Sequence, residues 1–336
     1  MNLYLFPAPA DNHGGYDIAV KDAYDRLQPK DTDVVVWACL SKPQCAKNND
    51  YVVYYKPFKS FHTIKKLCSG YLNNEFSAKD LRFLKGKDFD EIHCDDVIYY
   101  RAVRKLFPNK RIIVRFHNVF ARIFERVYML RLNTDWRFYG KMFLSRNLER
   151  MIMNDPFVFK IFLTQEDANY YHLVTGNSDY SVWSMKIEQK AFEYGKINQI
   201  VWFGGIEGHK KSSVEWFLKS IWPYIRRQFP NIEFHLYGLF SENYTDKSQN
   251  IIGHGFYGED KFPFLDSGLY INPDVMGGGI KIKVSSYLKN GVRFISTPFG
   301  FEGYDKKFID NYQCYVIPCQ DWASELINII RKYQQQ

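Results

Sequence analysis

The stretch Met276 to Gly291, MGGGIKIKVSSYLKNG, carries residue types suited to binding an anion. Gly277, Gly278 and Gly279 have no Cβ, so their main-chain N–H groups can approach a ligand closely. Ile280, Val284 and Leu288, with Tyr287, fall on one helical face and predict a helix beginning near Ile280. Its first turn holds Lys281 and Lys283, where the helix dipole disfavours a cation by about 0.3–1 kcal/mol each. A glycine turn entering a helix N-terminus, with ammonium groups added, suits a phosphate or diphosphate. The plain alternative is two solvated lysines. At about 100° per residue, positions two apart point to nearly opposite sides of a helix. Other phosphate motifs are missing. No G-x-x-x-x-G-K-[ST] occurs, and HGGYDIAV is not G-x-G-x-x-G.

Two histidines stand beside turn residues. DNHGG places His13 next to Gly14 and Gly15 after the first apolar run, and RFHN places His117 and Asn118 at the end of another. An imidazole at a strand end can take a proton from a hydroxyl, and Asp11 and Asp17 are weaker candidates for that role. The ordinary alternative is a hydrogen-bonded structural histidine.

The elements that must position these groups alternate along the chain. LYLF, DVVVWACL, YVVYY, DEIHC, RIIVRFH and FVFKIFL are short β-rich runs separated by helical patterns. This predicts a parallel sheet covered on both faces. The pattern restarts at QIVWFGG and continues through NIEFHLYG, GLYINP, RFIST and CYVIP. Val214 to Phe229 reads as one helix, and Trp322 to Tyr333 as a last amphipathic one. Two successive α/β domains follow, 1–184 and 197–320, with a terminal helix over 321–336 and a seam in the polar stretch from Ser184 to Asn198. Ligands of such sheets bind beyond the carboxyl ends of the strands.

The chain has 336 residues, net charge +8 and 18% aromatics. Residues 101–150 hold 13 basic and 3 acidic groups, 13 − 3 = +10, which favours an anionic partner. There, VFARIFERVYMLRL puts Arg122 and Arg126 on one helical face, suggesting a surface for an acceptor or for anionic lipid. No zinc or nucleic-acid signature accompanies the charge, so nucleic acid is not expected as a partner. Six cysteines form no C-x-x-C pair. The first residues run directly into a strand and no long apolar window occurs. The expectation is a reduced, cytoplasmic protein, peripheral at most on the inner membrane face.

YINPDVMGGGIKIKVSSYLKNGVRFISTPFGFEGYD resembles the donor-binding segment of GT-B glycosyltransferases, most of all the glycosyltransferase family 4-like (group 1) nucleotide-sugar transferases. VWFGGIEGHKKSSVEWFLKSIWPYIRRQFPNIEFHLYG and IIGHGFYGE resemble other parts of that family's donor domain; the first half of the chain matches in layout only. The resemblance implies an α/β fold of two Rossmann-like parallel-sheet domains facing a cleft. The first would bind the acceptor and the second the donor, with the terminal helix returning to the first. It implies a donor diphosphate on Gly277–Gly279 with Lys281 or Lys283, and a base near Gly255, Phe256 and Tyr257. Lys210 or Lys211 after Gly204 and Gly205, the loop at Gly14 and Gly15, and Glu302 would complete the donor site. His117 resembles the histidine that touches the donor sugar in retaining members, and His13 would be the base of an inverting one. Ser286 stands where the family places a Glu for the ribose, and Arg293 where it usually has proline. In the other main glycosyltransferase fold a D-x-D spacing binds metal. Here DTD at Asp31 and DFD at Asp88 precede strands, which reads as solvated turns, so no essential metal is expected.

The function implied is transfer of a hexose from a UDP- or GDP-sugar to a glycan or a lipid-pyrophosphate acceptor, as in surface polysaccharide synthesis. No cofactor beyond that donor is expected. The alternatives are an inactive nucleotide-sugar-binding scaffold and a sugar-nucleotide epimerase on the same fold.

Overall fold

β-branched and aromatic runs build two separate sheets. In the computed structural model the described residues are 1–7, 15–39, 47, 49–54, 70, 72, 75–129, 136–185, 187, 190, 194–207, 209–258, 262–275, 278–309 and 314–335. By its contacts the chain divides into Met1–Met185 with Gly278–Ile280, and Lys186–Gly277 with Lys281–Gln336.

In the first unit the strands are β1 (Leu3–Pro7), β2 (Val34–Cys39), β3 (Tyr51–Tyr54), β4 (Ile92–Cys94), β5 (Ile112–Phe116), β6 (Val158–Phe162) and β7 (Tyr180–Val182). They pair in parallel in the order β3-β2-β1-β4-β5-β6-β7. Its helices are α1 (Gly15–Leu27), α2 (Tyr100–Leu106), α3 (Phe120–Met129), α4 (Trp136–Met153) and α5 (Gln165–Thr175). Alternation along β1 shows why both faces are covered. Leu3 and Leu5 enter one core with Ile92, Ile112 and Leu148, while Tyr4 and Phe6 enter another with Val20, Ala23 and Trp37. Burying a side chain of this kind stabilises the fold by roughly 1.5–3 kcal/mol.

The second unit repeats the plan with β8 (Gln199–Phe203), β9 (Glu233–Tyr237), β10 (Ile251–Gly253), β11 (Gly268–Asn272), β12 (Phe294–Ser296) and β13 (Cys314–Val316). All pairs are parallel, in the order β10-β9-β8-β11-β12-β13. The helices are α6 (His209–Ser220), α7 (Trp222–Gln228), α8 (Ile282–Lys289) and α9 (Trp322–Gln334). Ile200, Trp202, Leu269 and Ile271 face one core, and Val201 and Tyr270 the other. Both sheets reverse strand order between their first and fourth strands, so each has a topological switch point at the carboxyl ends of β1/β4 and β8/β11.

Two elements differ from the expectation. The helix expected over Val214 to Phe229 is two helices meeting at Ile221, because Pro223 has no N–H to donate and its ring crowds the preceding turn. The terminal helix α9, expected to return to the first domain, instead places Trp322, Leu326, Ile329, Ile330 and Tyr333 in the second unit's core. Its apolar stripe is wide enough to be used fully there. Arg293, at the family's proline position, is fully buried. Its guanidinium lies 4.9 Å from the Tyr194 ring centroid and 4.3 Å from that of Tyr333, and it donates to the Gly195 and Gly268 carbonyls.

Candidate functional site

In the second unit, β8 ends at Phe203 and turns through Gly204 and Gly205, and β11 ends at Asn272, two residues before Asp274. A side chain at Gly238 would place its Cβ 2.4 Å from the Gly204 carbonyl, so that turn is held tightly against the end of β9. Helix α8 starts one step later than its apolar pattern predicts, with Lys281 as an N-cap residue that makes no side-chain cap bond. Tyr304 organises the entry. Its hydroxyl donates to the Lys281 carbonyl at 2.6 Å and accepts the Ser285 N–H at 3.1 Å.

Lys281 and Lys283 point to different neighbours, as their spacing requires. The Lys281 ammonium lies 4.3 Å from the Phe299 ring centroid. That of Lys283 lies 4.0 Å from the Trp202 ring centroid and 3.5 Å from Asp274 Oδ2. The Lys283 side chain is only 15% exposed and its ammonium makes no hydrogen bond among the described residues. Asp274 Oδ1 and Asn272 Oδ1 are likewise buried without a partner. Burial lowers the Lys283 pKa; Asp274 opposes that shift and the Lys210 charge adds to it. A desolvated ammonium is costly unless paired and hydrogen-bonded. At a helix N-terminus beyond a switch point, an anion supplies what it lacks.

Beyond β9 and β10 an aromatic ledge follows. His254 stacks on Tyr237 with ring centroids 4.1 Å apart, Tyr257 packs edge-on against Tyr237 and Phe203, and Phe256 is exposed. Glu302 is half-buried in the turn after β12, and Ser286 is half-buried on α8. Lys210 is half-buried in the first turn of α6, and Gly205 sits beside Leu239.

The first unit holds His117 just past β5, nearly buried. Its Nε2 is 2.7 Å from the Asp95 carbonyl and 3.4 Å from Asp95 Oδ2. Arg115, two residues earlier on the same face, grips the Asp95 carboxylate through Nε and Nη2. The segment Gly278–Ile280 goes with this unit, and it explains two glycines. Gly279 has φ +57° and an added Cβ would lie 2.4 Å from the His117 carbonyl; at Gly278 it would lie 2.4 Å from Ile123 Cδ1. At Gly279 the close approach to the His117–Asn118 turn therefore demands glycine whether or not a diphosphate is near, while at Gly278 the neighbour is the Ile123 side chain. Gly15 is the first residue of α1. His13, Gly14 and Gly277 lie outside the described residues.

Arg122 is not an open acceptor or membrane surface. Its Nη1 donates to buried Asp167 Oδ1 at 2.9 Å, and its side chain is 14% exposed. Facing solvent would have taken a charge partner from the buried Asp167 carboxylate, which is the costlier arrangement. Arg126 is half-buried on the same helix. Arg104 is paired in the same way with Asp155, whereas Lys110 meets Asp88 at the surface. Of the D-x-D acids, Asp31 pairs with Lys47 and Asp90 with the N-terminal amine.

Sequence reasoning missed Asp95, Arg115, Glu149 and Asp274. Arg115 carried a readable signal, a charge inside an otherwise apolar strand. Glu149 did not, because its role depends on a helix docking elsewhere. It is 1% exposed and accepts the first amides of α3, Phe120 N at 2.6 Å and Ala121 N at 2.9 Å. Burial pushes its pKa up to about 8, against the pull of those amides.

No protein-family model matches the chain, and no curated protein matches it. Solved structures do. TarM superposes with TM-score 0.63 at 11% identity, covering 99% of this chain and 92% of its own. WaaG, a glycosyltransferase involved in lipopolysaccharide biosynthesis, gives 0.54 at 10%, covering 100% and 91%. HepE of Anabaena, in complex with UDP and glucose, gives 0.53 at 12%, covering 99% and 90%. The fold is that of the GT-B glycosyltransferases.

Proposed function

We propose that this chain is a glycosyltransferase that moves a sugar from a nucleotide-diphosphate donor to a glycan or lipid-linked acceptor. The observation that carries the reading is Lys283, a largely buried ammonium that makes no hydrogen bond among the described residues, at the start of α8 beyond the β8/β11 switch point. The donor diphosphate would lie along the first turn of α8, with Lys283 and Lys210 neutralising charge that grows on the leaving group. Gly278, Gly279 and Lys281 would flank it, and the base would rest on the ledge at Tyr257 and Phe256. Glu302 would meet the sugar. His117 in the first unit would serve the sugar or acceptor, with His13, Gly14 and Gly15 in the same role class. The likeness to HepE, whose structure contains UDP and glucose, supports a uridine nucleotide. That to WaaG supports a role in surface glycan assembly.

An acceptor presented at a lipid surface has support of its own. Tyr128, Met129 and Phe143 on α3 and α4 are 76%, 79% and 64% exposed, and α4 also carries the exposed Arg146 and Arg150. No helix among the described residues is long and apolar enough to cross a membrane.

Ser286 favours a second reading, a scaffold that binds nucleotide-sugar without turning it over, because a hydroxyl replaces the carboxylate that the family uses for ribose. Nucleotide release with and without acceptor decides among the three. A transferase needs acceptor for rapid release, an epimerase converts the sugar without releasing nucleotide, and a scaffold changes nothing. Absence of any nucleotide-diphosphate binding by calorimetry would end the reading altogether.

A further inference from the structure

We propose that the first unit carries a second binding site, a groove across the last turns of α2 and α4 that holds an acidic oligosaccharide. The proposal goes beyond the transferase reading and does not depend on it.

Two cavities meet along α4. One, of about 810 Å³, has Arg101, Arg104, Lys105, Asn147, Arg150 and Asn154 in its lining. The other, of about 370 Å³, shares Asn147, Arg150 and Asn154 and adds Glu125, Arg146 and Tyr170. Both volumes suit a bound small ligand. The three shared residues stand at i, i+3 and i+7, so one face of α4 presents them over about 10 Å. Their side chains make no hydrogen bond or ion pair among the described residues. The groove is also remote from the switch point. Helix α2 leads into β5 and α4 into β6, so their last turns lie at the amino ends of these parallel strands, whereas His117 follows the carboxyl end of β5.

Charge selects the acid group of the ligand. Of the four cations in the larger cavity, Arg101 has Glu75 at 3.6 Å and Arg104 has Asp155 at 2.8 Å. Lys105 and Arg150 are exposed and have no carboxylate partner among the described residues. No acid lines this cavity among the described residues. A cation in a last helical turn ordinarily answers the helix dipole, a partial charge of about −0.5. Arg104 does so: its Nη1 donates to the Phe107, Pro108 and Lys110 carbonyls, while its buried Nη2 has no partner. Two further full charges exceed what the dipoles call for, and a carboxylate or phosphate offsets them.

The smaller cavity selects a sugar. There Glu125 accepts from the Tyr170 hydroxyl at 2.9 Å and has Arg146 at 3.7 Å, so donors and acceptors stand together. Each asparagine amide adds one of both kinds, the pairing that neighbouring ring hydroxyls require. A nucleic acid fits less well. Tyr100, the aromatic residue lining the larger cavity, is 4% exposed and offers no face for a base to stack on.

The test is titration calorimetry at low ionic strength with tetragalacturonate, and with maltotetraose as its uncharged counterpart of equal length. Tetragalacturonate is expected to bind at least tenfold more tightly than maltotetraose, and saturating UDP is expected to leave it bound. Lys105→Gln/Arg150→Gln is expected to weaken tetragalacturonate about 10- to 100-fold, the worth of one charge-assisted hydrogen bond or more. Asn147→Ala/Asn154→Ala is expected to weaken it about fivefold. These four side chains are unengaged, so denaturation midpoints should match the parent's; if a double variant does not fold, Arg150→Gln alone is read in the same way. No binding of tetragalacturonate, its displacement by UDP, or equal binding by parent and charge variant overturns the proposal. Inorganic phosphate binding as tightly as tetragalacturonate overturns it too, by showing an anion site without sugar selection. So does a charge variant that loses binding to phosphatidylglycerol vesicles but keeps tetragalacturonate, which would make the cations a lipid surface. UDP binding by the parent reports on the transferase reading separately.

Discussion

The two switch points treat buried charge in opposite ways. Next to its β1/β4 switch point the first unit closes its charges upon one another: Arg115 of β5 on Asp95 after β4, and Arg122 on Asp167, while the Glu149 carboxyl is held by two amides. At β8/β11 the second unit keeps an ammonium close to a carboxylate yet without a hydrogen bond among the described residues, on a ring face and at a helix start. A buried charge with its donors satisfied is architecture. One left with donors unused is where a ligand of opposite sign has most to offer. Counting basic residues along the sequence ranks these regions wrongly. Within the block of +10 net charge, Arg104, Arg115 and Arg122 are tied to carboxylates, and the more telling cation is a single lysine outside it.

Breaking a closed pair should give the largest effect. Arg122→Met takes a charge partner from buried Asp167 and is expected to lower stability by about 3–5 kcal/mol, read from chemical denaturation. A loss below 1 kcal/mol, or a change in vesicle binding without loss of stability, would return Arg122 to the surface.

Glu149 tests the same unit through pH. Its folded pKa of about 8 lies above the ordinary carboxyl value, so its contribution to stability is complete below that ordinary value and is lost as pH rises toward 8. Relative to Glu149→Gln, the parent should lose up to about 4 kcal/mol between pH 4.5 and 8.5. A difference independent of pH would show that the carboxylate is ionised throughout and acts purely as a helix cap.

On the open side, Lys283→Met should weaken nucleotide-diphosphate binding about 10- to 100-fold, the worth of a charge-assisted hydrogen bond. In the parent, burial lowers the lysine pKa, so the protonated form is lost below the ordinary lysine range. Affinity should therefore fall as pH rises through that lowered value, and Lys283→Met should show no such fall. Titration calorimetry across alkaline pH checks both; equal affinities in parent and variant would remove Lys283 from the site.

Lys281→Ala should have the smallest effect, about a two- to fivefold loss of affinity, because its ammonium sits over Phe299 and away from Trp202. An effect as large as that of Lys283→Met would mean that both ammonium groups reach one anion despite their different neighbours.

Local pattern was sufficient for most of the architecture. Val34 to Ala38 are buried throughout, and Val158, Lys160, Ile161 and Phe162 are buried on β6, while Gly238 at the end of β9 marks a close approach that admits no Cβ. Composition and spacing also revealed the break of rule at Lys281 and Lys283, since a cation at a helix start is visible in one dimension. Which of the two lysines is buried, which arginines are tied to carboxylates 45 or 20 positions away, and why Gly279 must be glycine were decided only by the tertiary structure. The physical reason is range. Strand and helix periodicity arise from neighbours along the chain, whereas the fate of a charge depends on which distant partner and how little water the fold leaves beside it.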